Sequence, residues 1–363
     1  MTIEWLAGNR LRGTTAERPA LGLPSGSVGG WVEVARTTLG SNSTSFTVSS
    51  IPDKRYYFVL INPEFTNAGS GNSFRLGSGG SEDSGSNYAY RRSTNGGNDV
   101  TGINQSSGII PIGGYSTEHE LLTMHIANKS DKEKLCIHDR CYSIAGAGNA
   151  PLRIQQTSKW TNTSNAIDMM KATLNSSGGF ASGTEIVVLG WDPSDSHTTN
   201  FWEELASVEL SSAGDTLSSG TFTAKKYLWV QAWAKVSPAT GAPAFRVGNS
   251  TIDTTSTYAT RASSNGATDD TATSTSNIDM APAFIQNNET CFVNIHIINK
   301  SDKEKLMIWE TVQQGTAGTL NATARRFGVS KWTNTSSQID IVSLINAGSG
   351  DFSNGTIKVW GSD

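Results

Sequence analysis

Short clusters of apolar letters, four to six residues long and dense in Val, Ile, Tyr and Phe, alternate along the chain with stretches of Gly, Ser, Thr and Asn. Clusters of that length bounded by turn residues are strand signals. In the first half they predict strands over 31–36, 46–48, 56–61, 73–76, 87–92, 121–127, 134–138, 166–170 and 185–189. No window of eleven or more residues keeps an apolar stripe at i, i+3 and i+4, and Gly or Pro interrupts most helical candidates. Strands at this spacing without crossover helices predict an all-β chain built as antiparallel, jelly-roll-like two-sheet sandwiches.

The pattern is written twice. NKSDKEKL at Asn128–Leu135 recurs letter for letter at Asn299–Leu306, 171 positions later. SKWTNTS at Ser158 returns at Ser330, and NYAYRRSTNGG at Asn87 returns as TYATRASSNGA at Thr257. Trp31, Tyr56 and Phe74/Arg75 find counterparts in Trp202, Tyr227 and Phe245/Arg246. An offset that drifts by a residue while order is kept is the mark of a tandem duplication with small loop insertions, and so long a period means two whole domains. The expected organisation is an N-terminal arm over 1–30, a first domain over 31–192, a linker over 193–200 and a second domain over 201–363.

HIANKSDKEKLCIH carries alternating apolar flanks around a charged centre, so Asn128–Glu133 is expected at the tip of a hairpin. Met124, Ile126, Leu135 and Ile137 are then expected to point into the core. Trp160 and Trp332, in the SKWTNTS segments, read as core anchors, with exposed stacking platforms for sugar rings as the alternative. The arm ends in a Pro/Gly/Ser stretch, and Trp5 with Arg10, Arg12 and Arg18 makes it a candidate assembly interface; a merely disordered tail is the competing reading.

Composition narrows the function. The chain is 36% hydrophobic and 17% charged with a net charge of −4, which leaves no broad basic surface for a phosphate backbone, so nucleic acid is not an expected partner. Cys136 and Cys141 have Met307 and Val312 as their counterparts 171 positions later, so the two copies share no disulfide framework. Residues 1–30 lack the apolar stretch of a signal peptide and no 18-residue apolar run occurs; a soluble cytosolic product that does not insert in membranes is expected.

Reactive constellations are sparse. No Gly-X-Ser-X-Gly elbow follows a strand convincingly. Glu82, Asp83, Asp99 and Asp168 are candidate glycosidase carboxylates, but their matching positions are mostly non-acidic. His125, Cys136, His138, Asp139 and Cys141 form the richest titratable cluster and would suit zinc on paired strands. Cys136 becomes Met307 and His138 becomes Trp309, however, which points to packing positions. The Glu82/Asp83 loop is a weak calcium candidate. No catalytic residue, cofactor or metal is expected.

The order of R-L/V-G, SNYAYRR, KWTNTS and GGFASGTEIVVLGWD resembles a family of β-sandwich virion structural proteins of marine tailed viruses. Gly179/Phe180/Gly183 with Val188/Gly190, and Gly350/Asp351/Phe352/Gly355 with Val359/Gly361, match the closing pattern of its members in both copies. The opening MTIEWLAGNRLRGTTAERP is similar to leader segments of such proteins. The resemblance implies a non-enzymatic tail-fibre, tail-associated or capsid-decorating component at the virion surface. Its implied partners are other virion proteins and further copies of itself, a trimer included, with a host surface glycan as a further partner. The alternative function is a carbohydrate-binding adhesion module on another extracellular surface.

Overall fold

A computed structural model describes residues 30–67, 72–108, 119–174, 179–192, 200–237, 239–282, 285, 288–315 and 322–363. Trp5, Arg10, Arg12 and Arg18 lie outside them. The described residues form strands and turns without a helix.

The first half contributes β1 (Val32–Thr38), β2 (Ser45–Val48), β3 (Tyr56–Asn62), β4 (Asn72–Ser78), β5 (Ser81–Glu82), β6 (Tyr88–Thr94), β7 (Val100–Gln105), β8 (Glu120–Ala127), β9 (Lys134–Tyr142), β10 (Leu152–Trp160), β11 (Met169–Leu174) and β12 (Glu185–Trp191). The second adds β13 (Glu203–Glu209), β14 (Thr216–Thr221), β15 (Tyr227–Ser237), β16 (Pro243–Asn249), β17 (Thr251–Ile252), β18 (Tyr258–Ser264), β19 (Asp270–Thr275), β20 (Ile278–Asp279), β21 (Thr290–Ile298), β22 (Lys305–Gln313), β23 (Ala324–Trp332), β24 (Ile341–Asn346) and β25 (Asp351–Ser362).

Each half is a sandwich of a wide sheet on a narrow one. An eight-stranded sheet ordered β1-β12-β3-β8-β9-β10-β6-β7 packs on β2-β11-β4-β5, and β13-β25-β15-β21-β22-β23-β18-β19 packs on β14-β24-β16-β17. Two buried clusters fill the gaps: Phe46, Phe74, Val59, Met124 and Trp160 among others in the first, and Phe245, Val230, Ile295, Trp309 and Trp332 in the second. Strand pairing is antiparallel throughout. The hairpin between β6 and β7 turns on Asn95 and Gly96 at φ of 51° and 69°, with Gly97 N bonded to Thr94 O at 3.0 Å. Positive φ at both central residues is what a tight hairpin turn demands, and Asn-Gly supplies it at least cost.

The nine strands expected in the first half become twelve. β5 and β7 are short or mostly exposed, and β10 (LRIQQTSKW), absent from the expected strands, carries the polar Gln156 and Ser158 at inward positions. Both are hydrogen-bonded inside the sandwich, Gln156 to Gly108 O at 2.8 Å and Ser158 to the His138 ring at 2.6 Å, which is what makes polar groups tolerable there. The strand expected over 166–170 begins at Met169.

The expected phase of the hairpin after Met124 is corrected. Met124 and Ile126 are core residues, but Leu135 and Ile137 are each 57% exposed, and Cys136 and His138 point inward instead. Lys134 explains the shift. It is fully buried, its ammonium donating to the carbonyls of Ser130, Lys132 and Asn162 at 3.2, 2.9 and 2.8 Å while standing over the Trp160 ring. Lys305 repeats this with Ser301, Lys303 and Asn334 over Trp332. At the other end of the octapeptide, Asn128 accepts from Ile167 N at 2.9 Å and donates to Lys54 O, and Asn299 accepts from Ile339 N at 2.6 Å and donates to Lys225 O. The octapeptide thus closes its own loop and ties it to the SKWTNTS segment, so its letters serve structure.

Candidate functional site

The two wide sheets turn their second faces toward each other. A third buried cluster joins them, with Phe58, Leu60, Leu121, Cys141, Val187 and Leu189 from the first half against Tyr227, Leu306, Ile308, Phe327, Val329 and Trp360 from the second. Polar clamps surround this seam. Glu304 accepts from Ser143 Oγ at 2.5 Å, from Gly146 N at 2.7 Å and from Lys331 Nζ at 2.9 Å, and its carbonyl lies 2.7 Å from the His119 ring. Arg153 pairs with Asp269 and stands over the Phe327 ring. Glu185 accepts from Tyr227 Oη and Lys226 Nζ, both at 2.8 Å, and Lys300 pairs with Glu64.

The seam is lopsided. Leu306 and Ile308 are buried in it, whereas Leu135 and Ile137, the residues 171 positions earlier, face solvent. Leu121 and Cys141 are buried in it, whereas Phe292 and Val312, 171 positions later, are 38% and 39% exposed. One edge of the contact between the sheets is closed and the other is open.

A cleft of about 340 Å³ lies between the halves, lined by residues from both. Three of its pairs stand 171 positions apart: Trp31 with Trp202, Phe58 with Trp229, and His125 with His296. Phe58 stacks on His125 at 4.5 Å and 11°, Trp229 stacks on His296 at 6.0 Å and 9°, and Phe58 meets His296 at 5.2 Å. Burial, aided by the neighbouring His125, pulls His296 down to about 3, so near neutrality the His296 ring carries no charge and packs as an aromatic. Gln231, Asn294, Phe292 and Glu310 complete the second-half wall.

The titratable cluster weighed as a zinc site is dispersed by the strand pleat: Cys136 and His138 point into the first sandwich, while His125, Asp139 and Cys141 lie on the opposite face. Among the described residues no three His, Cys, Asp or Glu side chains gather around one point. His138 and Ser158 form a 2.6 Å pair, but it is buried, burial lowers His138 to about 3, and in the second half the indole of Trp309 takes the same place, 2.8 Å from Ser330 Oγ. Burial pushes the Cys136 thiol up to about 12, and Cys141 and Cys291 are raised as well. Asp83 is engaged by the Trp160 indole, Asn87 and Gly85 N, and Glu82 by Lys171 and Arg75. The Glu82/Asp83 loop is thereby occupied by its own chain.

The aromatic wall of the second half was missed from sequence, although a signal existed. In YLWVQAWAKVS the small and aliphatic letters Leu228, Val230, Ala232 and Ala234 alternate with Tyr227, Trp229, Gln231 and Trp233, which places the tryptophans on the side away from the core.

No known protein family matches the chain, and no curated protein does. Among solved structures it is similar to the LG4-5 domains of the mouse laminin alpha1 chain, at 12% identity over 91% of this chain and 89% of that one, with a TM-score of 0.19. It also matches an acyl-CoA hydrolase from Agrobacterium tumefaciens at 6% identity, over 61% of this chain and 73% of that one, with a TM-score of 0.14. Likenesses this slight carry no argument about fold or function. What the coordinates establish is an all-β chain whose described strands build antiparallel sheets packed as β-sandwiches.

Proposed function

We propose that this chain is a non-enzymatic structural protein of a virus particle, displayed on its outside as a tail-fibre, tail-associated or capsid-decorating component that contributes to host attachment. The observation that carries the reading is the seam: two sandwiches clamped face to face by a shared apolar cluster and by the bonds of Glu304, Arg153 and Glu185 make one stiff body. Stiffness is what a load-bearing exterior part needs, and large apolar contacts between units suppress relative motion. The side chains with reactive potential are spent on structure: Asp83 on Trp160, and His138 on Ser158.

In this reading the two halves are tandem copies of one jelly-roll-like domain, as the matching letters and matching strand orders suggest. Residues 1–30 serve as an arm whose Trp5, Arg10, Arg12 and Arg18 dock on a neighbouring subunit or on another virion protein. Mass spectrometry of gradient-purified particles, followed by antibody labelling of intact ones, tests the proposal. Stoichiometric presence with exterior label is expected. Absence from particles, or release of reducing ends from host capsule by the purified protein, would overturn it.

A further inference from the structure

We infer that the second half's wide sheet, on the face turned toward the first half but at the edge the first half leaves open, binds a neutral, flat oligosaccharide along the row Trp233, Phe292 and Val312. These three are cross-strand neighbours on β15, β21 and β22, and they are 37%, 38% and 39% exposed, so one apolar row lies open on a regular sheet. The row beside it, roughly 6.8 Å away at two residues along each strand, is polar: Gln231, Asn294 and Glu310. Asn294 Oδ1 accepts from Trp229 Nε1 at 2.7 Å and from Gln231 Nε2 at 3.2 Å, so these amides are held in place before a ligand arrives. The Asn294 amide nitrogen, the Gln231 amide oxygen and the Glu310 carboxylate supply hydrogen-bonding capacity along the row.

An aromatic row flanked by ordered amides suits a pyranose chain. The C–H face of the sugar covers the rings while its equatorial hydroxyls reach the adjacent polar row. Comparison with the first half argues against a protein occupant. At the corresponding positions the first half carries Leu60, Leu121 and Cys141, all buried in the seam, where aliphatic and small side chains do pack protein against protein. The second half replaces them with Gln231, Phe292 and Val312, and Asn62 with Trp233. The amides of Gln231 and Asn294 stand where the first half has Leu60 and Thr123, and paired amides suit sugar hydroxyls better than the apolar core of a protein interface. Glu310 beside the row and the exposed Arg325 next to Val312 offset each other in charge, which suits a neutral glycan better than an acidic one.

The inference deepens the attachment reading and rests on it for its biological setting, yet its test is independent of where the protein sits in a particle. Full-length protein is titrated with cellotetraose, followed by tryptophan fluorescence and calorimetry, with a sulfated tetrasaccharide in parallel. Binding of cellotetraose is expected, weakened roughly tenfold or more in Trp233→Ala and in Phe292→Ala, and restored in Trp233→Tyr. Leu135→Ser, at an exposed apolar position of the first half, should leave it unchanged. Three results would overturn the inference: no binding of cellotetraose, binding that survives Trp233→Ala together with Phe292→Ala, or preference for the sulfated sugar. Self-association that Trp233→Ala abolishes, without sugar binding, would assign the row to a second copy of the chain instead.

Discussion

Trp160 donates its indole N–H to Asp83 at 2.7 Å, and the same bond recurs between Trp332 and Asp253 at 2.8 Å. Each carboxylate also caps its own loop, Asp83 through Gly85 N and Asn87, Asp253 through Thr255 and Thr257. Replacing Asp83 or Asp253 by Ala orphans a buried indole donor and should lower stability by about 1–3 kcal/mol, read by chemical denaturation. Partial burial works to raise both carboxyls, but the bonds from Trp160 and Trp332 and the loop groups outweigh it and hold them below their ordinary value. A carboxyl with a lowered folded-state value stabilises above its unfolded value and loses that contribution as the pH falls through the folded one. Acid unfolding of the wild type should therefore steepen below about pH 4, and Asp83→Ala should flatten that limb.

The repeated octapeptide holds one buried lysine per copy. Lys134→Met and Lys305→Met each leave three loop carbonyls without their ammonium donor and should cost roughly 3 kcal/mol. Lys132→Ser, at the exposed tip, should change stability by less than about 0.5 kcal/mol. Thermal melts of the three variants separate structural lysines from solvated ones that look identical in the letters.

Glu304 and Glu133 occupy the same place in the two octapeptides but have different surroundings. Glu304 joins the halves through Ser143 and Gly146 and pairs with the buried Lys331, whereas Glu133 pairs with the partly exposed Lys159 at 2.9 Å. Glu304→Ala should lose about 3 kcal/mol, because a buried Lys331 is left without its carboxylate, and should split the single calorimetric transition expected for the wild type into two. Glu133→Ala should leave both the midpoint and the shape of the transition in place.

Asp139 gives the seam a pH dependence. Burial, and then the facing Glu310, raise its carboxyl to about 7 against the opposing pull of Gln155 and Arg153. A raised folded-state value means full stability below the unfolded value near 4 and progressive loss as the pH climbs through about 7. Asp139→Asn should therefore be more stable than wild type at pH 8, by about 1 kcal/mol once screening by water at a partly covered site is allowed for, and equal to it near pH 4. Melting curves at the two pH values check the crossover.

The amino-acid letters alone determined the class and much of the local detail. Four-to-six-residue apolar clusters between Gly, Ser and Asn turns dictated strands; the repeated segments announced repeated local structure; and Trp160 and Trp332 read correctly as anchors. Period-two alternation also says which residues share a face. It does not say which face another layer will cover, and the tertiary structure decided that. Leu135 and Leu306 stand in identical octapeptides, yet one faces water and the other lies in the seam, because only the second meets a sheet from the other half. Lys134 reads as a solvated charge until three carbonyls from two loops are seen to converge on its ammonium. Trp233 and Phe292 come together only because β15 and β21, 59 positions apart at these residues, pair in register. Burial and cross-strand neighbourhood are properties of the assembled layers, and a single strand's pattern contains only half of each.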